Sequence, residues 1–256
     1  MTTRAPSRPL GYAIHRLGVV ASTQGEAARL AAAGAPEGTV VTATHQSAGR
    51  GRRGREWLDA PGESLLVSIV LRPAILPGLA PQLSLVAAVA VVDALGTAGV
   101  TATIRWPNDV MVGERKICGM LPEAVTTRGG TLEHVILGIG LNVNQRDFPA
   151  SIRTLATSVR IETGRERAVE EMLQAVLAAI EGWYRHFVDG GLDALLPAWL
   201  GRAEGIGRRA RAADGREGVA VGLAADGALL LRTDSGETVR VVAGEVTTEV
   251  EHAAGH

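Results

Sequence analysis

The sequence predicts an α/β body followed by a small β-rich module, and three observations carry this. Apolar runs of strand length alternate with helix-length patterns as far as Arg202. From Gly205 onward the helical periodicity stops, and short β runs are separated by Asp214-Gly215, Asp226-Gly227 and Ser235-Gly236. Turn pairs at that spacing suggest a small barrel of about 45 residues. The expected division is a body over residues 1–202 and a module over residues 203–256.

Each element follows from a local pattern. Thr23-Gln24-Gly25-Glu26 has the spacing of a capping box, which opens a helix that ends near Gly34. Residues 39–44 read as a strand, and residues 64–71 as a second, ended by Pro73. Residues 82–98 are rich in Ala, Val and Leu, apolar nearly all round, and predict a buried helix. Its stretch 83–95 is broken by Ser84 and Asp93 and is too short to span a bilayer. Residues 101–106 and 110–112 read as strands, with Gly113-Glu114 turning into another over 116–123. Residues 133–144 form a long apolar strand, residues 166–189 a strong amphipathic helix, and residues 192–200 a shorter one.

Bulk properties bound the function. A chain of 256 residues is long enough for one large domain and a small one. Its 26 Lys+Arg against 27 Asp+Glu give a net charge of −1, so no overall field attracts nucleic acid or a membrane surface. A single cysteine, Cys118, cannot form an internal disulfide, which suits a reducing compartment. The opening MTTRAPSRPL lacks the apolar core of a secretory signal, so a cytoplasmic protein is expected. The six histidines show no metal-ligand spacing, and no protein-ligated metal is expected.

The densest chemistry lies in Gly49-Arg50-Gly51-Arg52-Arg53-Gly54-Arg55. Arginine forks match carboxylate and phosphate oxygens two at a time, and glycine lets backbone approach a ligand closely. The stretch satisfies G-x-G-x-x-G, but dinucleotide binding requires a helix to follow at once and an acidic residue about 20 positions on. Here Glu56-Trp57-Leu58-Asp59-Ala60-Pro61-Gly62 follows, then an extended run, with no Asp or Glu between Ser64 and Val92. A nucleic-acid tract would more often sit in a tail than between two strands. The loop reads as a wrapper for a small anion.

A second constellation is Arg105-Trp106-Pro107-Asn108-Asp109, then Lys116-Ile117-Cys118-Gly119. Pro107 stops a strand, leaving Asn108 and Asp109 at its mouth, and the hairpin returns Lys116 to the same end of the sheet. From spacing alone, Lys116 is either a snorkelling surface lysine or a site cation. A third element, Gly138-Ile139-Gly140-Leu141-Asn142-Val143-Asn144, sets small residues on a strand against which something packs closely. Trp57 and Trp106 suit either the core or the wall of an apolar pocket.

In this order and together, the motifs resemble the biotin–protein ligases. That family carries Gly-Arg-Gly-Arg-x-Gly-Arg, Lys/Arg-Trp-Pro-Asn-Asp, a Lys-x-x-Gly and Gly-x-Gly-x-Asn-Val. Ser22-Thr23 occupies the place of its Ser-Thr-Asn, and Gln46 precedes the arginine loop. Gln24 stands where the family usually has Asn, and Arg105 replaces the commoner Lys. The likeness covers residues 17–202, and the tail resembles the family's SH3-like barrel.

The resemblance implies a mixed-sheet catalytic domain of the class II synthetase-like biotin/lipoate ligase type. It also implies ATP-dependent formation of biotinyl-5′-AMP and transfer of biotin to a lysine of a biotin carboxyl carrier protein. By resemblance, Ser22, Thr23, Gln24, Gln46, Arg50, Gly51, Arg52 and Lys116 take biotin, and Arg53, Arg55, Asn108, Asp109 and Asn142 take ATP or the adenylate. Lys116, Arg52 and Asp109 would serve the chemistry, with Asp109 either a base for the acceptor amine or a turn cap. Magnesium would arrive on the ATP phosphates. None of the motifs reaches residues 203–256, so that module is expected to contribute to ATP use or acceptor docking without carrying the chemistry.

Two rivals remain at this level. Lipoate–protein ligases share the core and the chemistry, but their Arg-Arg-x-Ser-Gly-Gly-Gly loop is absent here. A biotin-responsive repressor would need a helix-turn-helix domain of about 60 residues, and 21 residues precede Ser22. No nucleic-acid or membrane partner is expected, and the state is monomer or homodimer.

Overall fold

In the computed structural model, which describes residues 9–242, 244 and 246–248, a seven-stranded mixed sheet forms the body. Its strands are β1 (Ala13–Val20), β2 (Thr39–Gln46), β3 (Ser64–Leu71), β4 (Thr103–Arg105), β5 (Asp109–Val112), β6 (Arg115–Thr126) and β7 (Leu132–Asn142). They lie in the order β1-β2-β3-β7-β6-β5-β4, with β1 parallel to β2 and every other pair antiparallel.

The helices are α1 (Thr23–Ala32), α2 (Leu83–Thr97), α3 (Val159–Thr163) and α4 (Val169–Leu200). Helix α4 breaks at Gly191, whose φ of 65° and ψ of −159° only glycine adopts without strain. The two expected helices there are the two arms of that break. Strand β1 was not foreseen, and α1 starts differently from expectation. Its N-cap is Ser22, Thr23 is already inside the helix, and no side chain caps the N-terminus. The capping box does not form because the Thr23 hydroxyl is used elsewhere, on Gln46 and Ser68.

Alternation divides the sheet into two unlike faces. One presents Val40, Leu65, Val67, Ile69, Leu71, Cys118, Met120, Leu137, Ile139 and Leu141 to α2 and α4, and this is the main core. Helix α2 is buried along most of its length, as its composition predicts. With the turn before it, the stretch Pro77–Thr97 is long and apolar enough to cross a membrane, but 72% of it lies inside the protein. Burial, not shortness, is what identifies it as a core helix. The opposite face is covered only in part. Ala27 and Ala31 of α1 pack on Val41, Val70 and Ile136, and the rest of that face is left for other groups.

After α4 come β8 (Arg209–Ala212), β9 (Glu217–Leu223), β10 (Leu229–Arg232), β11 (Thr238–Val241) and β12 (Val246–Thr248), an antiparallel sheet in the order β11-β10-β9-β8-β12. Its apolar side chains Ala210, Ala220, Leu229, Leu231 and Val241 belong to the same core cluster as Trp106 and Trp199. Ile104 and Ala203 form a parallel bridge where the body passes into this module.

Candidate active site

The half-covered face of the sheet is paved with glycine. Gly138 pairs with Ser68 and Leu121, and Gly140 pairs with Gly119, so these positions share one face across three strands. A β-carbon on Gly138 would sit 2.7 Å from Cδ of Gln24, and one on Gly140 would sit 2.7 Å from Cζ2 of Trp57. The missing side chains make a shallow floor on which Gln24 and the Trp57 indole rest. The Trp57 indole nitrogen is buried there without a hydrogen-bond partner among the described residues.

Lys116 reaches this floor because of a β-bulge. Val110 pairs with Cys118 but Met111 pairs with Lys116, so Ile117 is the extra residue on β6. Ile117 and Cys118 both turn into the core, and the interrupted alternation brings Lys116 to the same face as Gly119. A β-carbon on Gly119 would lie 2.9 Å from Lys116 Nζ. The ammonium is 2.7 Å from Asp109 Oδ1 and 5.6 Å from the centroid of Trp57. Snorkelling is therefore not its role. Cys118, one strand position away but on the other face, is fully buried, and burial pushes its thiol well above the ordinary range, leaving it an inert core group.

The arginine loop folds over on itself above this floor. Trp57 N–H donates to Gly49 O at 3.0 Å, Gly51 N–H to Arg55 O at 2.7 Å, and Arg50 bridges Glu56. Arg53 lies in the left-handed region at φ 58°, and it is the one non-glycine with positive φ among the described residues. Arg52 donates to Asn108 Oδ1 at 2.9 Å, while Asn108 Nδ2 donates to Met120 O, so loop and turn are fastened together. Residues 47–56 with Leu121 and Glu123 line an open cavity of about 740 Å³. At the far end Gln46 Oε1 accepts from Thr23 N–H and its hydroxyl, and Thr23 in turn meets Ser68 Oγ at 2.9 Å.

The model of the biotin/lipoate A/B protein ligase family matches residues 18–142, and that of the biotin protein ligase C-terminal domain matches residues 205–247. The chain is 40% identical to the bifunctional ligase/repressor BirA of Bacillus subtilis over 224 residues, 85% of this chain and 69% of that one. It is 37% identical to the biotin–[acetyl-CoA-carboxylase] ligase of Paracoccus denitrificans over 88% of this chain and 96% of that one. The chain belongs to the biotin protein ligase family.

The fold agrees with that of other biotin protein ligases. The enzyme of Aquifex aeolicus in complex with biotin and ATP superposes with a TM-score of 0.79 at 29% identity, covering 93% of this chain and 99% of that one. Against that family pattern the site residues can be placed one by one. Ser22, Thr23, Gln24 and Gln46 gather at the N-terminus of α1, and Lys116, Asp109, Asn108 and Arg52 gather at the other end of the floor. Gln24 Nε2 is tied to Leu121 O at 3.1 Å, which leaves its carbonyl as the group a ligand could use. Arg50 pairs with Glu123 at 3.0 Å, Arg55 is exposed on the loop, and the Arg53 guanidinium lies 3.5 Å from where a β-carbon of Gly244 would be. Asn142, on the same face of β7 as Gly138 and Gly140, is buried at the end of the floor with its Nδ2 donating to Thr157 O at 2.9 Å.

Trp106 is a core residue, 7% exposed, with its Nε1 donating to Gly227 O at 3.0 Å; of the two tryptophans only Trp57 faces the site. The C-terminal module packs against the second motif. Trp106 bonds to it and Arg105 pairs with Glu204. Sequence reasoning also missed Ser68 and Thr157. Ser68 carried a signal, one of two hydroxyls in the otherwise apolar SLLVSIVL; Thr157 carried none.

Proposed function

We propose that this biotin protein ligase activates biotin with ATP as biotinyl-5′-AMP and transfers the biotinyl group to a lysine of a biotin carboxyl carrier protein in the cytoplasm. The observation that carries the reading is a lone ammonium, Lys116, fixed on a glycine floor beside Asp109 and beneath a loop of four arginines. In the first step a biotin carboxylate oxygen attacks the α-phosphorus of ATP, and the bond to pyrophosphate breaks. Two anions meet there, so what the site must supply is positive charge already in place, not a nucleophile. Lys116 is placed to bridge carboxylate and α-phosphate, and Arg52, pinned to Asn108, holds the loop over them. Among the described residues no cluster of three or more His, Cys, Asp or Glu side chains is built to cage a metal. Magnesium enters with the ATP phosphates it neutralises.

In the second step the neutral amine of the acceptor lysine attacks the acyl carbon, the acyl–phosphate bond breaks and AMP leaves. That amine has an ordinary pKa of about 10.4 and must lose a proton. Asp109, the carboxylate 2.7 Å from Lys116, takes it. The space beside Gln24 and Lys116 holds the rings and tail of biotin, with the Trp57 indole, packed on Gly140, as one wall. Incubation with ATP, Mg²⁺, biotin and a carrier domain, followed by the intact mass of the carrier, tests the whole reading. One added biotinyl group per carrier is expected. An unmodified carrier, or equal labelling when lipoate replaces biotin, would overturn it.

A further inference from the structure

We propose that Asp59 is a positioning residue for biotin: with His45 it forms a clasp that holds the two stems of the arginine loop at a fixed spacing. This rests on the reading that Gln46 and the loop take biotin. Strand β2 carries Gln46 at its end, and its ladder to β3 runs from Val40 to Ala43, the last pair being Ala43 with Leu66. Thr44, His45 and Gln46 run on past that ladder, with β1 still alongside them through Val19 and Val20. On the other side the chain leaving the loop takes the place of β3. Gly62 N–H donates to Thr44 O at 2.8 Å. Asp59 Oδ1 accepts from Gln46 N–H at 3.4 Å, and Asp59 Oδ2 lies 2.8 Å from His45 Nδ1.

The Asp59 side chain is 1% exposed, against 30% for that of His45. A carboxylate is tolerated inside a protein where hydrogen bonds replace its water. An ionised one can only accept, so His45 donates through Nδ1. Both donors thus come from consecutive residues of the incoming stem, and the acceptor comes from the outgoing one. Between the clasp and the loop the stems are pressed together. Trp57 N–H donates to Gly49 O at 3.0 Å, and a β-carbon on Gly49 would lie 2.5 Å from Trp57 O and 3.1 Å from Gln46 Nε2. The incoming stem has further anchors, with Ser47 N–H donating to Val20 O and Ala48 N–H to Ala21 O, each at 2.9 Å, and Gln46 Oε1 accepting from Thr23. The outgoing stem carries Trp57, and Asp59 fastens it two residues further on. Loosening the clasp lets Trp57 draw back from Gly140 and leaves the closing loop without a fixed base, so biotin and its adenylate are held less firmly.

The test compares wild type with Asp59→Asn, His45→Ala and His45→Gln, with Gln46→Ala as the control for the site. The readings are biotin affinity by calorimetry, pyrophosphate release at saturating biotin without a carrier, which follows loss of the adenylate, and the melting temperature. Asp59→Asn keeps the shape but removes the charge and one acceptor, and His45→Ala removes the partner. Each is expected to weaken biotin binding by about tenfold, the worth of a hydrogen bond to a charged group, and to speed carrier-free pyrophosphate release. His45→Gln, whose amide can still donate to Asp59, should recover most of the affinity. A lower melting temperature with affinity and release at the wild-type level would make Asp59 a prop of the fold and end the proposal. A His45→Gln enzyme no better than His45→Ala would equally overturn the clasp. Should Asp59→Asn fail to fold, the two His45 variants decide by the same readings. Unchanged biotin binding in Gln46→Ala would instead overturn the reading of the site itself, whatever the Asp59 variant does.

Discussion

Gly140 and Trp57 make the site by subtraction, since the indole lies where a side chain on residue 140 would have to be. Gly140→Ala is therefore expected to fold, because the residue is on the open face of β7, but to push Trp57 off the floor and fill part of the space for biotin. Calorimetric titration should show biotin binding weakened by about tenfold, some 1.4 kcal/mol, with the melting temperature little changed; undiminished affinity would mean that the ligand does not use this floor. How well single residues could be read from the chain depended on how unusual they are. Arginines interleaved with glycines, or a lysine before Ile-Cys-Gly, have few structural explanations, and Arg52 and Lys116 do converge on Asn108 and Asp109. Tryptophan is at home in a core or a pocket, so Trp57 and Trp106 could be separated only by coordinates. The bond from Asn142 to the Thr157 carbonyl was not legible, because its partner is fifteen positions away.

Among the elements, the arginine loop is held in its hairpin by a few main-chain bonds, Arg53 is in a backbone region unfavourable to a side chain, and four cations lie within six residues of chain. Ordering so glycine-rich a segment is entropically costly. It should open readily in the unliganded enzyme and close when the adenylate draws the guanidinium groups in, shielding a mixed anhydride from water. Amide hydrogen exchange over residues 47–57 should slow markedly once biotin and ATP are added; identical protection with and without them would mean a preformed loop. Strands β2, β3 and β7 and helix α2 were plain in the sequence because each is apolar for a stretch matching its length. Strand β1 was not. As an edge strand it exposes His15, Arg16, Gly18 and Val19, and neither a continuous apolar run nor strict alternation marks it. The bulge in β6 was equally invisible, since it is set by how β5 and β6 pair, and pairing is not local.

Across the whole molecule, the body and the C-terminal module share one apolar cluster, joined by Trp106 to Gly227 and Gln82 to Ala225. The change of composition at Gly205 was readable, but this union was not, because it is made by side chains more than a hundred positions apart. Truncation after Arg202 should cost several kcal/mol through exposure of Trp106 and Trp199. A drop of about 10 °C in melting temperature is the expected sign, and an unchanged melt would show the interface to be dispensable. Composition has a consequence on the same scale. Twenty-five of the 26 basic residues are arginine, and a guanidinium is not deprotonated in proteins and so is no nucleophile. The one lysine is engaged by Asp109 at 2.7 Å inside the site. Any biotinyl-AMP that escapes the loop thus meets a surface without lysine, leaving the α-amino group as the one other amine of the chain. Incubated with ATP, Mg²⁺ and biotin but no carrier, the enzyme should keep its unmodified mass apart from any labelling of that α-amino group. A variant with the exposed Arg128→Lys substitution should gain biotin at the new amine in proportion to time. Biotin found on Lys116 of the wild type would show that its ion pair gives no protection. An Arg128→Lys chain left unlabelled while a lysine-rich bystander is biotinylated in the same tube would show that the missing lysines make no difference.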